Sequence, residues 1–64
     1  MNRIRIILAE KNKTNKWLAE QLDKSVTTVS RWVQNKNQPP LNVLIDIAKV
    51  LEVDTKDLIG SIKE

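Results

Sequence analysis

Between Thr14 and Val33 two short helix signatures are separated only by Asp23 and Lys24. The first reads Thr14-Asn15-Lys16-Trp17-Leu18-Ala19-Glu20-Gln21-Leu22, the second Ser25-Val26-Thr27-Thr28-Val29-Ser30-Arg31-Trp32-Val33. Thr14 and Ser25 stand where a hydroxyl oxygen can accept the free backbone N–H groups of a first helical turn. Leu18, Ala19 and Leu22 form the inward stripe of the first segment; Val29, Trp32 and Val33 form the buried-looking side of the second. Ala19 is the most telling of these, because a small side chain there lets another helix approach closely. The other side of the second segment holds Thr27, Thr28, Ser30 and Arg31. Small hydroxyls and a guanidinium on a protruding helix are the groups that read base edges in a DNA groove. Thr27, Thr28 and Ser30 have modest helix propensity, so their concentration there argues against a merely solvated surface.

A chain of 64 residues is expected to form a single domain, 1–64, with a thin core. Domains of this size lean on disulfides, metals, oligomerisation or very regular helix packing. Cysteine and histidine are both absent, which excludes disulfides and thiolate sites and removes the commonest metal ligand and general base. Ser25, Ser30 and Ser61 therefore have no histidine to activate them, the carboxylates are scattered, and the lone Gly60 cannot build a phosphate-cradling loop. The chain reads as a non-enzyme, with no cofactor, metal or small-molecule ligand indicated. Ile4 to Ala9, the longest apolar-rich run, is too short to span a membrane and has no small-residue cleavage pattern. With no export signal and no cysteine, a cytoplasmic protein is expected.

The pattern predicts five helices. The first covers about Asn2 to Lys11 with Ile4, Ile7 and Leu8 at helical spacing, although its Ile-Arg-Ile-Ile start reads equally as a strand. The second and third follow from Thr14 and Ser25. Asn35 is suited to end the third in a left-handed conformation. Pro39-Pro40 then opens a fourth, roughly Leu41 to Glu52, with Leu44, Ile47, Ala48 and Leu51 as its stripe. Thr55 or Asp54 can cap a last short helix holding Leu58, Ile59 and Ile62. Charge is divided along the chain: residues 1–36 hold eight basic and three acidic side chains, residues 37–64 three and five. That polarity suits one face meeting a polyanion, and it is equally what chance asymmetry on a solvated surface would give.

Taken together, Thr14, Leu18-Ala19, Leu22, Ser25, Thr28-Val29-Ser30-Arg31-Trp32, Lys36, Pro39, the Leu41–Leu51 stretch, Val53-Asp54 and Leu58 resemble the XRE-type helix-turn-helix family, which includes the phage repressors and Cro. The resemblance spans nearly the whole chain. It implies an all-α, five-helix lambda-repressor-like domain with the helix-turn-helix formed by helices 2 and 3. It also implies sequence-specific duplex-DNA binding in transcription regulation, and a homodimer. The chain departs from the family at Asp23, where glycine is usual, and at Val33 and Asn35, where glutamate and glycine respectively are frequent.

The resemblance makes Val26, Thr27 and Arg31 the base-reading residues, with Thr28 and Ser30 near base or phosphate. Arg31 can pair bidentately with guanine O6 and N7, and the Val26 or Thr27 methyls can pack on a thymine methyl. Phosphate contacts are expected from Asn15 and Lys16 at the start of the second helix, where free N–H groups favour an anion. Asn35, Lys36 and Asn37 would supply a second clamp, with Lys24 and Ser25 adding to it. Trp32 reads as core. Trp17 reads as packing, with an indole contact to phosphate as the alternative. The competing function is a protein-interaction module or antitoxin-like adaptor on the same fold. Its surface would centre on Asp54, Asp57 and the candidate dimer contacts Leu58, Ile59 and Ile62.

Overall fold

The computed structural model describes residues 1–60. Helices α1 (Ile4–Glu10), α2 (Asn15–Leu22), α3 (Val26–Val33) and α4 (Leu41–Leu51) are followed by a short 3-10 helix, Thr55–Leu58. Of the two readings of the Ile-Arg-Ile-Ile start, the helix is the one that forms. Residues 4–10 are helical, whereas Asn2 pairs with Ile59 in an isolated antiparallel bridge. The Arg3 N–H donates to the Leu58 carbonyl and the Gly60 N–H to the Met1 carbonyl, each at 2.7 Å. A Cβ on Gly60 would lie 2.7 Å from that Met1 oxygen, so the approach needs glycine. The expected fifth helix is this 3-10 element within the described residues; Ile62 lies outside them.

The expected caps on α2 and α3 are formed. Thr14 Oγ1 accepts from the Trp17 N–H at 3.0 Å and Ser25 Oγ from the Thr28 N–H at 3.1 Å. The four α-helices close in one way, each with a left-handed residue that is not glycine: Asn12, Asp23, Asn35 and Glu52, at φ 58, 55, 61 and 60°. The N–H of the next residue (Lys13, Lys24, Lys36 or Val53) reaches back to Leu8, Ala19, Arg31 or Ala48, at 2.9–3.0 Å. This double closure satisfies carbonyls that a helix end leaves open. Three of the four residues are Asn or Asp, which tolerate positive φ; Glu52 is the exception. Glu52→Gly is therefore expected to stabilise the fold by about 0.5–1 kcal/mol, the backbone relief less the added freedom of the unfolded chain. A denaturation midpoint at or below wild type would contradict that.

One core joins all five elements. Ile4, Leu18, Val29, Ile47 and Leu58 have no exposed surface, and Ile7, Leu8, Ala19, Trp32, Val33, Val43, Ala48 and Leu51 complete it. Each fully buried aliphatic side chain contributes roughly 1.5–3 kcal/mol. Two expectations shift. On α4 Val43 is buried and Leu44 only half-buried, and Leu22 of α2 is likewise half-buried. Leu58 is completely enclosed, so it anchors the 3-10 helix to the core and has no surface to offer a second protomer; Ile59 is 54% exposed.

Candidate nucleic-acid interface

The cap at Ser25 starts α3 so that Val29, Trp32 and Val33 point into the core. Helical geometry then leaves Val26, Thr27, Thr28 and Arg31 outward, and all four are exposed. Val26, at 44% exposure, is an apolar side chain held at the surface of the first turn. Ser30 is half-buried, and its hydroxyl accepts from the Asn15 side-chain amide at 3.3 Å. That bond ties the start of α2 to the middle of α3, so the residues expected at base edges and at phosphate share one rigid unit. Ser25 has a second bond, its hydroxyl donating to Thr28 Oγ1 at 2.9 Å. Both hydroxyls are thus partly committed to the cap.

Lys16, Lys24, Lys36 and Asn37 are exposed. The turn at Asp23 takes the left-handed conformation usually given to glycine, which keeps the short connection between α2 and α3. Asn37 folds back towards α3. With its amide oxygen turned to Arg31, the orientation in which both polar atoms find partners, it accepts from Nε at 3.0 Å and donates to the Lys36 carbonyl at 2.9 Å.

Asn35 differs from the sequence expectation of a phosphate ligand. Its Oδ1 accepts from the Asn2 N–H at 2.8 Å and from Gln38 Nε2 at 3.1 Å, and its Nδ2 donates to the Asn2 carbonyl at 3.2 Å. Its amide is committed within the fold. Asn2 and Gln38 were the residues missed. Asn2 Nδ2 donates to the Trp32 carbonyl and to Gln38 Oε1, both at 2.9 Å. Asn2 Oδ1 accepts from the Ile4 N–H at 3.1 Å. A capping-type residue ahead of the apolar run was the available signal, and it accounts for the Ile4 bond alone.

Trp32 is core, as expected. Trp17 is half-buried against the core and shares a surface hollow with Val50 and Leu51 of α4, with the Lys13 ammonium 4.8 Å from its ring centroid. That distance is within cation–π range. Among the described residues no group of three or more acidic side chains could hold a metal ion, and no helix is long and apolar enough to cross a membrane.

Two helices joined by a tight turn, the second with an exposed polar face and a buried apolar one, define a helix-turn-helix protein. Residues 3–64 match the family model of the Cro/C1-type helix-turn-helix DNA-binding domain, and the chain belongs to that family. The structure is similar, with a TM-score of 0.92, to a protein from Bacteroides fragilis whose crystal structure is described as that of a "putative DNA-binding protein". The two are 53% identical over 94% of this chain and 97% of the other. Comparison with curated proteins gives no significant match.

Proposed function

We propose that the protein regulates transcription by placing α3 in the major groove of duplex DNA. It would bind as a homodimer to a pseudo-palindrome whose half-sites lie about one helical turn, ~34 Å, apart. The observation that carries this reading is the outward face of α3, where Val26, Thr27, Thr28 and Arg31 are exposed while the opposite side is sealed in the core. Arg31, Val26 and Thr27 would read bases. Lys16, Lys24 and Lys36, with the first turn of α2, would neutralise phosphate and supply most of the affinity. Asn15 would hold its end of α2 against α3 through Ser30, so that positioning and reading move together.

Selection of bound duplexes from a random pool tests the proposal directly, since it reports sequence preference, half-site symmetry and spacing. A symmetric site with half-sites one turn apart supports it. Recovery of no enriched sequence overturns it. On the selected site Arg31→Ala should cost about 1–3 kcal/mol and relax preference at one base pair. Equal weakening on every sequence would make Arg31 a phosphate contact.

A further inference from the structure

We propose that Asn37 is a positioning residue for sequence reading: it holds the Arg31 guanidinium in the orientation that presents its far edge to a base. This rests on the reading of Arg31 as a base contact and adds the group that makes it selective.

Arginine carries considerable rotamer entropy, and its guanidinium has a donor at Nε and four more on the two terminal nitrogens. An exposed arginine two residues from the end of an eight-residue helix has no packing to choose among those rotamers. Here the chain beyond α3 supplies the choice. The Lys36 N–H donates to the Arg31 carbonyl at 2.9 Å, and the Asn37 N–H reaches the same oxygen at 3.4 Å. The loop is thereby folded over Arg31, and in the amide orientation that gives both its polar atoms a partner the Asn37 oxygen meets Nε at 3.0 Å. The other half of the amide is fixed by the Lys36 carbonyl at 2.9 Å, so the acceptor is itself oriented.

Engaging Nε leaves both terminal nitrogens open. Those two nitrogens form the end-on pair that matches the O6 and N7 acceptors of guanine, so the bond at the near edge favours bidentate contact at the far edge. Ordering the guanidinium before DNA arrives also removes part of the entropy lost on binding. Asn37 is exposed, and its substitution removes no core contact. Its role therefore separates from folding, and it differs from the phosphate contact that sequence reasoning gives it.

The test uses the duplex that the wild-type protein selects from a random pool, together with every single-base-pair variant of it, at one fixed salt concentration. Asn37→Ala should lower discrimination roughly fivefold at the base pair that Arg31→Ala relaxes, and leave the ranking at other positions unchanged. Asn37→Asp keeps an acceptor for Nε. It should restore that discrimination while weakening binding to all duplexes alike, because it adds a negative charge near phosphate. In the double variant Arg31→Ala/Asn37→Ala, discrimination should equal that of Arg31→Ala alone. If Asn37→Ala weakens all duplexes uniformly, or changes none of them, while Arg31→Ala remains specific, the positioning role is overturned and the base contact stands. If Arg31→Ala itself shows no base-pair preference, the base contact fails and the inference fails with it.

Discussion

Asn2→Ala is expected to destabilise the protein by about 2–3 kcal/mol, because it leaves the buried Ile4 N–H without a partner and removes the bonds to the Trp32 carbonyl and Gln38. Asn2 is 9% exposed, and each of its hydrogen-bonding groups is used. Its backbone N–H and carbonyl face the two halves of the Asn35 amide. Its side-chain oxygen caps the Ile4 N–H, and its side-chain nitrogen serves both the Trp32 carbonyl and Gln38. Residues 1–3 are thus held between the 58–60 segment on one side and Asn35 on the other, with a side-chain amide in the place of a third strand. Alanine keeps the backbone pairing and removes every side-chain bond. The Ile4 N–H then has no partner in a region water does not easily reach, and the Trp32 carbonyl keeps only the Asn35 N–H, at 3.0 Å. A domain of this size has on the order of 5 kcal/mol of total stability, so the loss should be visible as a large fall in the urea or thermal midpoint. A midpoint equal to wild type would show that solvent satisfies those groups.

Asn2→Asp separates bonding from shape. The carboxylate would face the Trp32 carbonyl and Gln38 Oε1, two acceptors, where the amide donated. That setting favours the protonated acid, so the folded-state pKa lies above the unfolded one. The proton is then bound more tightly in the folded state, and stability falls as pH rises through the carboxyl range. The same network accounts for the left-handed Asn35 at the end of α3. Glycine at this position would relieve the backbone there but lose the amide that pairs with Asn2.

Most of the frame is legible in local signals. The hydroxyl caps at Thr14 and Ser25, the left-handed end at Asn35, the small Ala19 and the stripes on α1 and α3 each depend on neighbours within one or two turns. Three features depended on more than that. On α4 nearly every side is apolar, with Leu41, Val43, Leu44, Ile45, Ile47, Ala48, Val50 and Leu51. Periodicity therefore cannot choose between Val43 and Leu44 as the buried residue, and packing decides. The closing segment offered three apolar residues, and only the structure shows that Leu58 belongs wholly inside while Ile59 faces out. The Asn2 network joins residues 30 to 36 positions apart through polar side chains, which carry no periodic signal. For the same reason Asn35 and Asn37 read as equivalent loop amides in the sequence, although one is bound to Asn2 and the other to Arg31.

Ala19→Leu should also cost about 3 kcal/mol, by overpacking rather than by loss of bonds. Ala19 is 2% exposed within the core that α2 shares with Val29, Trp32 and Val33 of α3. Three further carbon atoms have no room there unless the helices separate. The backbone resists separation, since the Ala19 carbonyl accepts the Lys24 N–H at 3.0 Å and the Asn15–Ser30 bond spans the other end of α2. If the helices do yield, α3 changes its angle relative to the first turn of α2, and base-reading and phosphate-binding groups no longer meet one duplex together. DNA affinity should then fall even in the molecules that remain folded. Ala19→Gly is the informative control. It removes volume instead of adding it, and should cost about 1–2 kcal/mol through helix propensity and the lost buried methyl, while the helix-turn-helix angle is retained. Chemical denaturation of both variants, followed by titration of the folded protein with its selected duplex, separates the two effects. Wild-type stability in Ala19→Leu would mean that the contact between α2 and α3 has slack, and that the small residue is not what sets their approach.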